Sequence, residues 1–229
     1  MLQRRDDLNE KAENNSNINE THESMHNIRS HKETVECIVA IGTSTGGPRA
    51  LQEVIPMFPA DIPAAVLIVQ HMPSGFTKSL AERLDSMSRI KVKEAENGDI
   101  LTKGCAYIAP GGYQMIIDKQ SDKFFRIRLT DDEPVGGHKP SVNVLFNSIS
   151  CLDIKKVIAV VMTGMGKDGS EGVKNINKNK KGYIIAQDEK TCTVYGMPKA
   201  AVQTRVVDEI VPLDEIAKKI MMFLGVYDK

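Results

Sequence analysis

From Val35 onward, short apolar runs of strand length alternate with stretches of helical periodicity. That alternation restricts the chain to a doubly wound α/β architecture, a mostly parallel sheet with helices on both faces. Strands are expected at 37–41, 64–69, 91–93, 106–109, 157–162, 183–186 and 209–211, with helices following Pro48, Thr77, Ser141, Asp168 and Leu213. Two further runs, 114–118 and 124–129, flank the polar stretch Lys119-Gln120-Ser121-Asp122-Lys123. They read as an antiparallel β-hairpin appended to the parallel sheet.

The 229 residues suffice for one well-buried domain, expected over 35–229. Residues 1–34 are rich in Asn, Glu and His and lack sustained apolar periodicity, so they are expected to be a disordered polar tail or linker. His22 and His26, four apart within it, are not supported as metal ligands by anything else in the sequence. Thirty basic and thirty acidic residues cancel, which argues against nucleic acid or an anionic membrane surface as partner. No run approaches the roughly 18 apolar residues of a membrane helix, and the N-terminus lacks the apolar core of a secretory signal. A cytoplasmic location is expected. Cys37, Cys105, Cys151 and Cys192 lie far apart without metal-ligand spacing and read as buried free thiols.

In sheets of this kind ligands bind beyond the carboxyl ends of the strands. The first strand runs into Gly42-Thr43-Ser44-Thr45-Gly46-Gly47, a glycine-walled turn that either displays a serine nucleophile or cradles a phosphate. A dinucleotide site requires an acidic residue near the end of the second strand and a glycine at position 44; Gln70-His71 and Ser44 stand there instead. A serine hydroxyl needs a base, and His71 is the suitable one. His138, in the loop Gly136-Gly137-His138-Lys139-Pro140, fits a solvent-facing position as well as a site role. Asp168, in the glycine-rich segment after 157–162, suits either the partner of the histidine or the cap of the helix that follows; one carboxylate can do both. Free backbone N–H groups for an oxyanion are expected in the turns 44–47 and 164–166.

These residues carry a resemblance to the catalytic domain of chemotaxis protein-glutamate methylesterases (CheB-type). It rests on Ile41-Gly42-Thr43-Ser44-Thr45-Gly46-Gly47, Gln70-His71-Met72-Pro73-Ser74-Gly75-Phe76, Ala106-Tyr107-Ile108-Ala109-Pro110-Gly111, Lys139-Pro140-Ser141-Val142, Thr163-Gly164-Met165-Gly166-Lys167-Asp168-Gly169 and Tyr195-Gly196-Met197-Pro198. The resemblance implies a serine hydrolase that demethylates glutamate methyl esters on the cytoplasmic helices of chemoreceptors, releasing methanol, and in many members deamidates receptor glutamines. It implies Ser44 as nucleophile, His71 as base, Asp168 as the partner of the histidine, backbone donors near His71 and Met165, and no metal or organic cofactor. Thr43 stands where alanine is common and Asn143 where aspartate is common. The family's receiver domain has no counterpart in the polar residues 1–34, which leaves room for a separate regulatory protein.

The competing readings are a serine esterase or amidase acting on another protein or a small ester, and a non-catalytic module binding a receptor or a nucleotide. Met72, Met165 and Met197 fall in or near the motif loops, where thioethers either mould to a partner or fill core.

Overall fold

Strand order in the main sheet reverses direction at its centre. In the computed structural model, which describes residues 34–121, 124–180 and 182–226, seven parallel strands lie in the order β3-β4-β2-β1-β7-β8-β9. They are β1 (Cys37–Thr43), β2 (Ala65–Gln70), β3 (Lys91–Glu94), β4 (Cys105–Ile108), β7 (Lys156–Val161), β8 (Tyr183–Gln187) and β9 (Glu209–Val211). β1 is paired on both edges, with β2 and with β7. The chain therefore leaves β1 at the switch point where such folds open a crevice.

β1 and β2 are near-continuous apolar runs because both of their faces are covered. Ile38, Ala40, Leu67 and Val69 face α3 (Val142–Ser150), α4 (Ser170–Lys180) and α5 (Met197–Gln203). Val39, Ile41, Val66 and Ile68 face α1 (Gly47–Val54), α2 (Phe76–Met87) and α6 (Leu213–Leu224). Phe146 of α3 is fully buried, and an added Cβ at Gly172 of α4 would come within 2.4 Å of it. Truncating Phe146 to Ala costs about 3–5 kcal/mol.

The hairpin, β5 (Gln114–Lys119) and β6 (Phe125–Thr130), forms its own two-stranded sheet and is not laddered onto the parallel one. Its outer edge is satisfied by the loop before β4: Leu101 N–H donates to Phe125 O (2.9 Å) and Ile127 N–H to Asp99 O (2.8 Å). Its inner face, Met115, Ile117, Phe125 and Ile127, packs into the core with α3. The hairpin thus delivers the chain to the start of α3.

The expected strands are all present to within one or two residues, and α5 was not anticipated: it is a seven-residue helix behind Gly196 with Pro198 in its first turn. The four cysteines are free, but only Cys105 is buried, and Cys151 is exposed at the end of α3. The described residues from Thr34 onward belong to one compact unit. The expected tail, with His22 and His26, falls outside the described residues apart from Thr34. Among the described residues no helix is long and apolar enough to cross a membrane, and no three His, Cys, Asp or Glu side chains are grouped to hold a metal ion.

Candidate active site

β1 and β2 run in register, with Thr43 opposite Gln70, so Ser44 and His71 leave adjacent strands side by side. The turn carrying Ser44 is gripped on both flanks. On one, Gln70 donates from Nε2 to Ser44 O and to His71 O, each at 3.0 Å. On the other, Thr163 O accepts from Ser44 N–H and from the Thr43 hydroxyl (3.0 Å each), and the Thr163 hydroxyl donates to Thr45 O at 2.9 Å. Glycine is required here by space: a Cβ at Gly47 would lie 1.9 Å from Gln70 Oε1, and Gly46, at φ 83°, would meet Thr193. Gly164, past the end of β7, lets Ser44 Cβ approach in the same way.

Asp168 reaches the site from the segment after β7, the neighbour of β1 on the side away from β2. Its side chain is 4% exposed and accepts hydrogen bonds from five donors. Oδ2 accepts from His71 Nε2 (2.8 Å) and Val142 N–H (2.7 Å). Oδ1 accepts from the Ser141 hydroxyl (2.9 Å) and from the N–H groups of Asn143 and Gly169 (3.0 Å each). Asp168 therefore caps a helix, but it is α3, whose first turn begins 26 residues earlier, and not α4, which follows it. The N–H groups of the first turn of α3, which have no partner within the helix, and the positive end of its dipole favour a carboxylate there. Burial raises its proton affinity, but the bonds from His71, Asn143 and Val142 outweigh that and hold the carboxyl below its ordinary value.

His71 is nearly buried, with its side chain 10% exposed. Its Nε2 is spent on Asp168, while Nδ1 is buried and has no hydrogen-bond partner among the described residues. The His71 N–H continues the ladder to Thr43 O at 3.2 Å, one residue past the end of β2. The resemblance implied that N–H as an oxyanion donor; the ladder occupies it here. Of the two expected donors, the Met165 N–H alone lacks an acceptor among the described residues.

His138, ambiguous in the sequence, lies on the site: its ring stacks on that of His71 with centroids 3.8 Å apart and 7° between planes. Gln70, Thr163, Ser141 and Gln114 carry no role in the sequence reading, although a polar residue ending a buried strand is the signal that marks the first two. The two substituted positions are accommodated. Thr43 adds its bond to Thr163 O, and Asn143 Oδ1 accepts from Gly172 N–H at 2.9 Å, tying α3 to α4. Of the three methionines, Met197 is core, Met72 is half-buried and Met165 is 70% exposed. A cavity of about 390 Å³ borders the turn through Gly46 and Thr163 and includes neither His71 nor Asp168.

The family model described as CheB methylesterase matches residues 39–220. The chain belongs to the CheB methylesterase family. A protein of Halalkalibacterium halodurans named protein-glutamate methylesterase/protein-glutamine glutaminase is 52% identical over 184 residues, 80% of this chain and 53% of its own length. A namesake from Archaeoglobus fulgidus is 49% identical over 193 residues, 84% of this chain and 55% of its own. The crystal structure of the Thermotoga maritima CheB methylesterase catalytic domain superposes with a TM-score of 0.79 at 41% identity, covering 81% of this chain and 97% of that one. The chain spans about half the length of the curated relatives it matches.

Proposed function

We propose that this chain hydrolyses methyl esters of glutamate side chains on methylated chemoreceptors in the cytoplasm, and deamidates receptor glutamines by the same route. One observation carries the reading: His71 holds Asp168 through Nε2 and leaves Nδ1 without a partner among the described residues, just past the strand paired in register with the one that leads into Ser44. A carboxylate at Nε2 requires the proton on that nitrogen, which leaves the Nδ1 lone pair to act as base.

In this mechanism Ser44 rotates its hydroxyl to Nδ1, His71 takes the proton, and Ser44 Oγ bonds to the ester carbon. Asp168 stabilises the imidazolium that forms. The negative charge on the carbonyl oxygen is met by the Met165 N–H, in a loop packed against Ser44 through Gly164. His71 then protonates the departing oxygen, which leaves as methanol, or, when the substrate is a glutamine, the departing nitrogen, which leaves as ammonia. Water attacks the acyl-enzyme, its proton passes to Nδ1 and returns to Ser44, and glutamate is released. The names of the relatives, methylesterase and glutaminase, agree with one acyl-enzyme shared by two leaving groups.

Ser44→Ala should abolish methanol release from methylated receptor while leaving the melting temperature unchanged. A fluorophosphonate should label the wild type at Ser44 and the variant not at all. Full methanol release by Ser44→Ala would overturn the assignment.

A further inference from the structure

A histidine whose ring makes no hydrogen bond among the described residues is held face to face against the candidate base. We propose that His138 is a positioning residue: its ring is the wall that fixes the plane of His71, so that Nδ1 stays presented to the Ser44 turn while Nε2 holds Asp168. This rests on the reading of His71 as base.

A hydrogen bond at Nε2 anchors one corner of an imidazole and leaves the ring free to tilt, because the terminal torsion of histidine is broad. Contact over a whole face at 3.8 Å removes that freedom, since a tilt in either sense drives one edge of His71 into its neighbour.

His138 is itself built in firmly. Val135 and His138 exchange backbone hydrogen bonds of 3.0 and 3.1 Å across Gly136 and Gly137, whose φ values of 61° and 84° are those of a tight hairpin turn. Gln114, on the first strand of the hairpin and 1% exposed, donates to His138 O (3.1 Å) and Glu133 O (3.3 Å), and accepts from Ser141 N–H (2.8 Å). One buried amide thus holds both the residue stacked on His71 and the residue whose hydroxyl binds Asp168.

The charges around the stack suit this role. Two protonated imidazoles at this separation repel, so His138 serves only when neutral. Burial lowers its proton affinity and the neighbouring His71 lowers it further, against an opposing pull from Asp168. Lys139, next in the chain, has its ammonium on Asp131 Oδ1 at 2.6 Å.

The test compares His138→Ala, which removes the wall, with His138→Phe, which keeps a flat ring that cannot ionise. Methanol release from methylated receptor should show kcat falling about ten-fold in the alanine variant, with KM within about two-fold. The phenylalanine variant should recover kcat to within about three-fold of wild type. By proton NMR, the downfield His71 Nε2–H resonance should persist in wild type and His138→Phe and broaden in His138→Ala. Should the alanine variant fail to fold, His138→Leu, bulky but not flat, carries the same expected loss. Wild-type kcat in the alanine or leucine variant, a phenylalanine variant no better than alanine, or a rise in KM in place of the loss in kcat would overturn the role. An inactive His71→Ala beside a fully active His138→Ala would sink this inference and leave the base assignment standing.

Discussion

The buried and the exposed parts of the segments that carry the site are built on opposite principles. On the Asp168 side the carboxylate is buried and fully engaged: Ser141, Val142, Asn143 and Gly169 converge on it, and Gln114 anchors the loop behind it. The segments that carry His71 and Asp168 also expose large apolar side chains, Phe76 at 60% and Met165 at 70%, and Tyr113 and Val135 are exposed just before and after the hairpin. Preorganised dipoles are what a developing charge needs, and they lose value if they must move. An exposed apolar surface gains value only when a second surface covers it, which the proposed protein substrate would supply.

The largest expected effect breaks the paired side. In Asp168→Asn the amide must point NH₂ at donors that need acceptors, and His71 loses the group that sets its tautomer. We expect kcat for methanol release to fall by about 10⁴-fold; more than a tenth of wild-type activity would show that the carboxylate is only a helix cap. A smaller effect probes the exposed apolar side chains. Phe76→Ala, outside the acid–base machinery, should raise KM for methylated receptor about five-fold and leave kcat within two-fold. A loss confined to kcat would remove Phe76 from substrate docking.

The smallest effect sharpens the contrast through pH. Because the folded state holds the Asp168 carboxyl below its ordinary value, the unfolded chain takes up that proton first as pH falls. Its contribution to stability is complete above the unfolded aspartate value of about 3.9 and declines below it as pH approaches the folded value. Urea titrations at pH 7, 4 and 3 should show the decline in wild type and a flatter one in Asp168→Asn. Identical slopes would mean that the cap contributes no pH-dependent stability.

Much of the sheet is legible along the chain because β1, β2 and β7 are buried on both faces, and a run such as Val66-Leu67-Ile68-Val69 has no other stable use. α5 is not, because seven residues opening with Met197-Pro198 look like the continuation of a loop, and it is packing of Met197 and Ala201 that makes them a helix. Ser44 and His71 stand out because each is a polar residue just past the end of an apolar strand, and Asp168 because it lies in the glycine-rich segment that follows β7. Their supports do not. Asp168 binds the N-terminus of α3, 26 residues back, and His138 meets His71 from 67 residues away, contacts that no local pattern encodes.

Periodicity therefore set the layered sheet, and strand-end chemistry singled out Ser44, His71 and Asp168 as candidates, since both follow from which faces of each segment must leave water. Only the assembled sheet and hairpin decided which helix Asp168 caps, which nitrogen of His71 is spent and which ring lies against it. Those outcomes depend on ångström-scale approach between segments distant in sequence, and that separation is set by how the core packs.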